Sequence, residues 1–373
     1  MKIGIVTFFK VANYGAMLQS YALWKYLESK GHAVVFVSHP RLAPDRPSLF
    51  RCFVSRHLNG IRIKLRIYVR FAMTSFAADY PQTHRCETID EVRTATADCD
   101  AFIVGSDQMW NPLWCSGACL PLVMLDFAPK GKPRISYAVS FGTKEWKKEQ
   151  NADVAGHLLR KFDAISVREE SGVELVRELS CREDAKWMVD PTLLHTALFY
   201  KNLLDGERKI ENKYILSYVL DEWVNNEDIE SVLGLVKRCT GIRDVHTDKI
   251  PVKGVLSLVC KALHIQSKIT VGKWLSEIAN ADFVVTNSFH GTVFSILFHK
   301  PFLTLPVPGK MSGMNERIVS LLSMVGLGSR IINTNDLDGC GDVVASAIDW
   351  DEVDRRLGAE RLRAEAFLKG ALQ

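Results

Sequence analysis

The 373-residue chain contains no unbroken apolar run of the roughly 18 or more residues that a membrane-crossing helix requires. Its start, Met1-Lys2-Ile3-Gly4-Ile5-Val6-Thr7, reads as a first strand and lacks the charged head and small-residue cleavage site of a signal peptide. A cytoplasmic protein is therefore expected. No Gly-x-Gly-x-x-Gly follows that strand and no Walker loop occurs, which argues against a tightly held dinucleotide and against NTP hydrolysis. Nine cysteines are scattered, and the close pair Cys115 and Cys119 has no second Cys or His pair at zinc-ligand distance. Reduced, mostly buried thiols are expected, with no metal and no cofactor. Zinc-finger spacing and the aromatic-basic signature of RNA binders are also missing, and the net charge is only +4, so no nucleic-acid partner is indicated.

Acidic residues are absent between Asp45 and Asp79, where Arg46, Arg51, Arg56, Arg62, Lys64, Arg66 and Arg70 alternate with apolar side chains. Without those seven cations the chain would be net acidic. The pattern predicts a basic helical insertion over about 46–78, packed by its apolar side with arginines in solvent. Over 46–70 it is also suited to peripheral contact with the inner face of an anionic membrane, or with an anionic, lipid-linked acceptor.

Outside that insertion, strand-like and helix-like patterns alternate. Ile3–Thr7, Val34–Val37, Ala101–Val104, Arg134–Ala138 and Ala164–Val167 read as strands, with helices near 15–30, 144–161 and 169–179 between them. This is the pattern of a parallel sheet with crossover helices. A break follows Asp190-Pro191-Thr192, the charged segment 205–213 reads as a linker, and a second half restarts at Tyr214–Val219. The expected architecture is two α/β lobes, 1–190 and 191–350, with a closing segment 351–373 whose charged helix packs back on the first lobe. The length, well beyond one ordinary domain, agrees.

The candidate chemistry sits where strands end. Ala281 to Leu305 holds a short apolar run, a polar turn with Asn287, Ser288, His290 and Gly291, a helix predicted from Thr292, and a second strand. A histidine there lies at the carboxyl end of a parallel strand beside a helix N-terminus, where anions bind. Near the first strand, Asn13 is a candidate helix cap, Gly15 permits close backbone approach, and Gln19 follows within the helix. After Val104 comes Gly105-Ser106-Asp107-Gln108-Met109-Trp110-Asn111, rich in hydrogen-bonding groups and carrying an indole. Carboxylate, amide and an aromatic face are the groups that hold sugars. Ser136 to Gly142 offers a weaker loop of the same kind. Arg168, directly after a strand, can grip a carboxylate or phosphate two-pronged, unless it pairs with Glu169 or Glu170. Lys310, Asn315 and Arg317 lie in or after a glycine-containing loop suited to anion capture or to a lid.

Taken in order, Asn13-Tyr14-Gly15-Ala16, Gly105-Ser106-Asp107-Gln108 with Trp110-Asn111, Ser166-Val167-Arg168-Glu169, Asp190-Pro191-Thr192 and Thr286-Asn287-Ser288-Phe289-His290-Gly291 resemble the polysaccharide pyruvyl transferase family over roughly Gly4 to Arg330. The resemblance implies a two-lobed GT-B-like fold with Rossmann-like parallel sheets and an active site in the interlobe cleft. It also implies phosphoenolpyruvate as donor substrate and a saccharide acceptor on which a pyruvate ketal bridges two hydroxyls. Ser288 stands where many relatives carry an arginine, so the donor's charge would fall to Arg168, Lys310 or Arg317. On this reading His290 is the general acid, Asp107 accepts the sugar proton, Arg168 and Arg317 clamp the donor, and Trp110 and Gln108 meet the sugar. Two other readings stay open: a GT-B glycosyltransferase using a nucleotide sugar, and a non-catalytic sugar-binding member of a polysaccharide assembly complex.

Overall fold

The computed structural model describes residues 1–11, 13–42, 75–113, 115, 117–147, 151–205, 212–220, 224–247, 269–334 and 336–373. Most of the basic stretch 46–78 falls outside them.

Two parallel sheets organise the chain. In the N-terminal lobe the strands β1 (Lys2–Val6), β2 (Ala33–Phe36), β3 (Ala101–Gly105), β4 (Arg134–Val139), β5 (Ala164–Val167) and β6 (Lys186–Trp187) lie in the order β2-β1-β3-β4-β5-β6. In the C-terminal lobe β7 (Tyr214–Tyr218), β8 (Asp244–Thr247), β9 (Phe283–Thr286) and β10 (Phe302–Thr304) lie in the order β10-β9-β7-β8. Every pairing is parallel. β3, Ala-Phe-Ile-Val-Gly, is buried at all of its positions because helices cover both faces, so it reads as a continuous apolar run without alternation. β6 and β8 escape sequence reading because both are short edge strands of mixed composition.

The main helices are α1 (Tyr14–Ser29), α2 (Ile89–Ala95), α3 (Ala152–Leu159), α4 (Glu170–Ser180), α5 (Asn226–Thr240), α6 (Val271–Ala279), α7 (Phe289–Leu297), α8 (Glu316–Val325) and α9 (Trp350–Ala371). Two differ from the sequence expectation in a way that matters. The polar helix predicted from Lys144 starts only at Ala152, and 144–147 runs as loop. α7 starts at Phe289 and not at Thr292, because Ser288 is extended and its hydroxyl accepts from the Gly291 amide at 3.3 Å. His290 consequently sits inside the first helical turn.

One apolar cluster runs through both lobes, from Ile3 and Ile5 to Tyr214 and Leu216. Tyr14 at the start of α1 is its rivet: its ring stacks on Trp274 of α6 at 4.9 Å and its hydroxyl donates to the Ile269 carbonyl at 2.9 Å. α9 buries Val353, Leu357, Ala364 and Leu368, spaced to share one helical face, in the same cluster. Its Lys30–Glu365 ion pair and the Arg361 hydrogen bond to the Leu193 carbonyl, 2.8 Å, tie it to α1 and to the turn after Asp190. No helix among the described residues is long and apolar enough to cross a membrane.

Leu357→Ala or Leu368→Ala should each cost about 2–5 kcal/mol in urea unfolding, whereas Leu362→Ala, at a position 70% exposed, should be nearly neutral.

Candidate active site

Asp190, just beyond the short strand β6, is the hub. Its carboxylate is fully buried. Oδ1 accepts from the Thr192 amide (3.0 Å) and hydroxyl (2.7 Å). Oδ2 accepts from Ser106 Oγ beyond β3 (2.8 Å) and from Arg168 Nη1 beyond β5 (2.7 Å). The same oxygen faces His290 Nε2 of the other lobe at 3.6 Å, an ion-pair distance too long for a hydrogen bond. Burial alone would raise the Asp190 carboxyl; the charges of His290 and Arg168 and the bonds from Thr192 outweigh it and hold the group well below the usual carboxylate range.

His290 reaches this carboxylate only because α1 begins with Tyr14-Gly15. A Cβ on Gly15 would lie 1.9 Å from His290 Nδ1 and 2.3 Å from Cγ, so the C-terminal-lobe imidazole is pressed against bare backbone of the N-terminal lobe. Among the described residues Nε2 of the ring is buried and has no hydrogen-bond partner, and the same holds for Nε and Nη2 of Arg168.

A second guanidinium closes in. Arg317, on α8, donates from Nε to the Met314 carbonyl at 3.1 Å, and the Gln108 amide oxygen, in the orientation that lets it accept, lies 3.0 Å from Nη1. Both arginines lie over the Phe289 ring, Arg168 at 4.5 Å and Arg317 at 5.9 Å from its centre, where the π face offsets part of their mutual repulsion. Burial, and then Arg168, pull the Arg317 guanidinium down to about 10, still cationic at neutral pH. Behind them the buried Glu169 is pushed up by burial, against the pull of Arg168; Ser140 and the Gly142 amide donate to it.

Asp107 has the most open side chain of these acids, 18% exposed against 0% for Asp190. It occupies the left-handed region at φ 67°, a costly conformation for a non-glycine residue. Its Oδ1 accepts from the Gln108 amide at 2.9 Å and stands 3.8 Å from Arg168 Nη2. Ser106, Asp107, Gln108, Arg168, His290 and Arg317 thus meet at the carboxyl ends of the strands, with Gly15 as packing surface.

Several other candidates are placed differently. Trp110 is closed inside the N-terminal lobe against Phe141 and Phe162, with its indole N–H donating to the Val123 carbonyl at 3.0 Å, so its face is not available to a sugar. Gln19 donates to Thr7 Oγ1, the Phe8 carbonyl and the Ala16 carbonyl, which fixes the loop after β1 in place of meeting substrate. Asn287 accepts from the Leu220 amide and donates to the Leu220 carbonyl, bracing the end of β7. Asn111 is buried with its side-chain amide 2.7 Å from that of Gln108, and Asn13 and Ser288 cap α1 and α7. Gly291 is a close-packing position: a Cβ there would lie 2.4 Å from Thr286 Oγ1. Asn315 pins its own loop through the Val307 amide and carbonyl. The side chain of Lys310 lies outside the described residues.

Sequence reasoning missed Asp190 and Phe289 as site residues. Arg168 bonds Asp190, 22 positions away, and neither neighbouring glutamate. The available signal was Asp-Pro-Thr itself: an acid before proline, with a threonine able to satisfy one carboxylate oxygen, at a point where the chain leaves a lobe.

Asp190→Asn should remove about 3–5 kcal/mol of stability at neutral pH, because it strands a buried arginine. A carboxyl held below its unfolded value contributes stability that is complete above about pH 4 and is lost as pH falls through the folded value. The acid limb of stability against pH should therefore flatten in Asp190→Asn, as measured by urea melts at stepped pH.

The sequence matches the family model for polysaccharide pyruvyl transferase over residues 13–307. None of the curated proteins matches it. Among solved structures, a putative UDP-N-acetylglucosamine 2-epimerase from Listeria monocytogenes superimposes with a TM-score of 0.52 at 11% identity, covering 99% of this chain and 95% of that chain. The UDP-GlcNAc 2-epimerase of Methanocaldococcus jannaschii gives 0.51 at 10% identity, covering 93% of each. At such identities the likeness carries the fold alone, two parallel-sheet α/β lobes of GT-B type. The family match runs from the cap of α1 to the loop beyond β10, across the Asp190 hub and the His290 turn, and the chain belongs to the polysaccharide pyruvyl transferase family and is a transferase.

Proposed function

We propose that this protein moves a pyruvyl group from phosphoenolpyruvate onto two hydroxyls of a sugar in a cell-surface or exopolysaccharide precursor, forming a ketal. The observation that supports the reading is the polar edge of the site: among the described residues buried Arg168 Nε and Nη2 and His290 Nε2 have no hydrogen-bond partner, Nη2 and Nε2 keeping only ion-pair distances of 3.8 Å to Asp107 and 3.6 Å to Asp190. Leaving charged donors buried and unbonded is expensive. A small ligand with both carboxylate and phosphate satisfies them, and Arg317 supplies the second cation that Ser288 does not.

The chemistry then follows. His290 gives a proton to the methylene carbon of phosphoenolpyruvate, which becomes the ketal methyl and leaves the adjacent carbon electrophilic. The first sugar oxygen bonds to that carbon as Asp107 takes its proton. The C–O bond to phosphate then breaks, the second sugar oxygen takes its place, and of the two hydroxyl protons one replaces the proton spent on the methyl while the other leaves on inorganic phosphate. Arg168 and Arg317 stabilise the departing phosphate. Asp190 touches no substrate on this account. It holds Arg168 and the imidazole in register. With its lone pairs taken by Thr192, Ser106 and Arg168, it is a positioning residue, and Asp107 is left as the base.

In deuterated water with phosphoenolpyruvate and an acceptor, phosphate release should accompany a product carrying deuterium in the ketal methyl. His290→Asn should lower turnover by about 10²-fold or more while phosphoenolpyruvate still raises the melting temperature; full turnover in that variant would remove the acid assignment. Gly15→Ala, which drives a methyl into the imidazole, should lower kcat with a smaller effect on the donor KM. Thermal stabilisation by nucleotide sugars alone would favour glycosyl transfer instead.

A further inference from the structure

One buried acid beside the cluster takes no part in the proton transfers of His290 and Asp107. Glu169, 2% exposed, is the N-cap of α4, yet its side chain makes no hydrogen bond to the amides of its own helix. It turns instead to the loop after β4, where Oε1 accepts from Ser140 Oγ and from the Gly142 amide, the latter at 3.3 Å. Oε2 is buried and, among the described residues, has no hydrogen-bond partner. A carboxylate oxygen placed so is poorly satisfied when charged.

The charged groups on the elements around it are mostly engaged elsewhere. Glu316 of α8 pairs with Lys144, and Asp107 and Asp190 both stand beside Arg168. His290 faces Asp190, while Glu170, Glu145 and Lys147 are exposed. Arg168 and Arg317 are the cations that act on Glu169. We propose that Glu169 is a positioning residue that shares these two guanidiniums while the site is empty and takes up a proton from solvent when an anion settles between them, so that donor binding and protonation of Glu169 are coupled.

Electrostatics gives the direction. Two guanidiniums over one aromatic face repel each other, and an acid behind them offsets part of that repulsion. An incoming carboxylate and phosphate supply the same charge, after which a Glu169 carboxylate repels the ligand through a medium of low dielectric. Burial already pushes this carboxyl up, against the pull of Arg168, so the ligand's field adds to a shift of the same sign. A proton on Oε2 leaves both bonds to Oε1 in place. Gly142 then stays against Gln108, where a Cβ would lie 2.3 Å from Oε1, and Gln108 stays on Arg317. The group thus changes charge without moving the wall of the site. The inference rests on the pyruvyl-transfer reading for the identity of the donor, but the coupling holds for any anion that the two arginines grip.

The test uses the full chain, titrated calorimetrically with phosphoenolpyruvate and separately with sulfate, which has no proton to exchange near neutral pH. Buffers of different ionisation enthalpy report the protons taken up, and infrared difference spectra of the same complexes report any new protonated carboxyl. Binding should bring proton uptake and a protonated-carboxyl band. Affinity should fall as pH rises through the Glu169 range, by up to roughly tenfold per pH unit for one whole proton. Glu169→Gln keeps the Oε1 acceptor and cannot ionise, so the band and this share of the pH dependence should vanish; both should remain in His290→Asn. Asp107→Asn should also keep the band, which assigns it even if Glu169→Gln does not fold. Phosphoenolpyruvate binding with no band, a band that persists in Glu169→Gln, or one lost in Asp107→Asn overturns the proposal and leaves the donor reading standing. Uptake and band with sulfate alone, and no binding of phosphoenolpyruvate, removes the donor reading and keeps the role of Glu169. Binding of neither anion removes both.

Discussion

A single buried carboxylate holds the two halves of this site in register. Asp190 is out of water, yet its charge is kept by an arginine from one lobe, a histidine from the other and three hydroxyl or amide donors. Taking such a charge out of water is tolerable only when it is paired and fully hydrogen-bonded. Asp190 therefore dictates where Arg168 and His290 stand, and Gly15 dictates how close the lobes come. The stack of Tyr14 on Trp274 and the return of α9 onto α1 keep that approach fixed.

The cations of the site lie deep between the lobes. Deep in the cleft the arginines share the Phe289 face and are nearly closed to solvent, Arg168 only 1% exposed. In that low-dielectric setting an anion gains far more from them than it would at the surface. Asp107 is held in a left-handed backbone conformation beside Arg168. Ser288 caps α7, and the second guanidinium of the site enters from α8 as Arg317.

Much of this was legible in the sequence. Buried parallel strands are written as apolar runs, so β1, β3, β4, β5 and β9 were visible, as was the role of strand ends as the place for chemistry. Ser106, Asp107, Arg168 and His290 follow from that rule, and Arg317 from the glycine-containing loop before α8. What stayed hidden depends on long-range geometry. Trp110 sits in a sugar-like motif but turns inward, because its indole N–H finds the Val123 carbonyl and its ring finds Phe141 and Phe162. Gln19 and Asn287 look like ligand amides, yet each completes hydrogen bonds that a neighbouring loop would otherwise lack. Asp190 looked like a domain break; its partners come from strands that are distant in sequence and adjacent only in the folded sheet.

The central claim is that two buried arginines and a histidine form a seat for a doubly acidic three-carbon donor. Titration of the full chain with phosphoenolpyruvate, followed by its phosphorus NMR signal, tests it directly. Saturable broadening or shift in the natural protein, largely lost in Arg317→Met, is the predicted result. No change in that signal, with a nucleotide sugar perturbing the protein in its place, would contradict it.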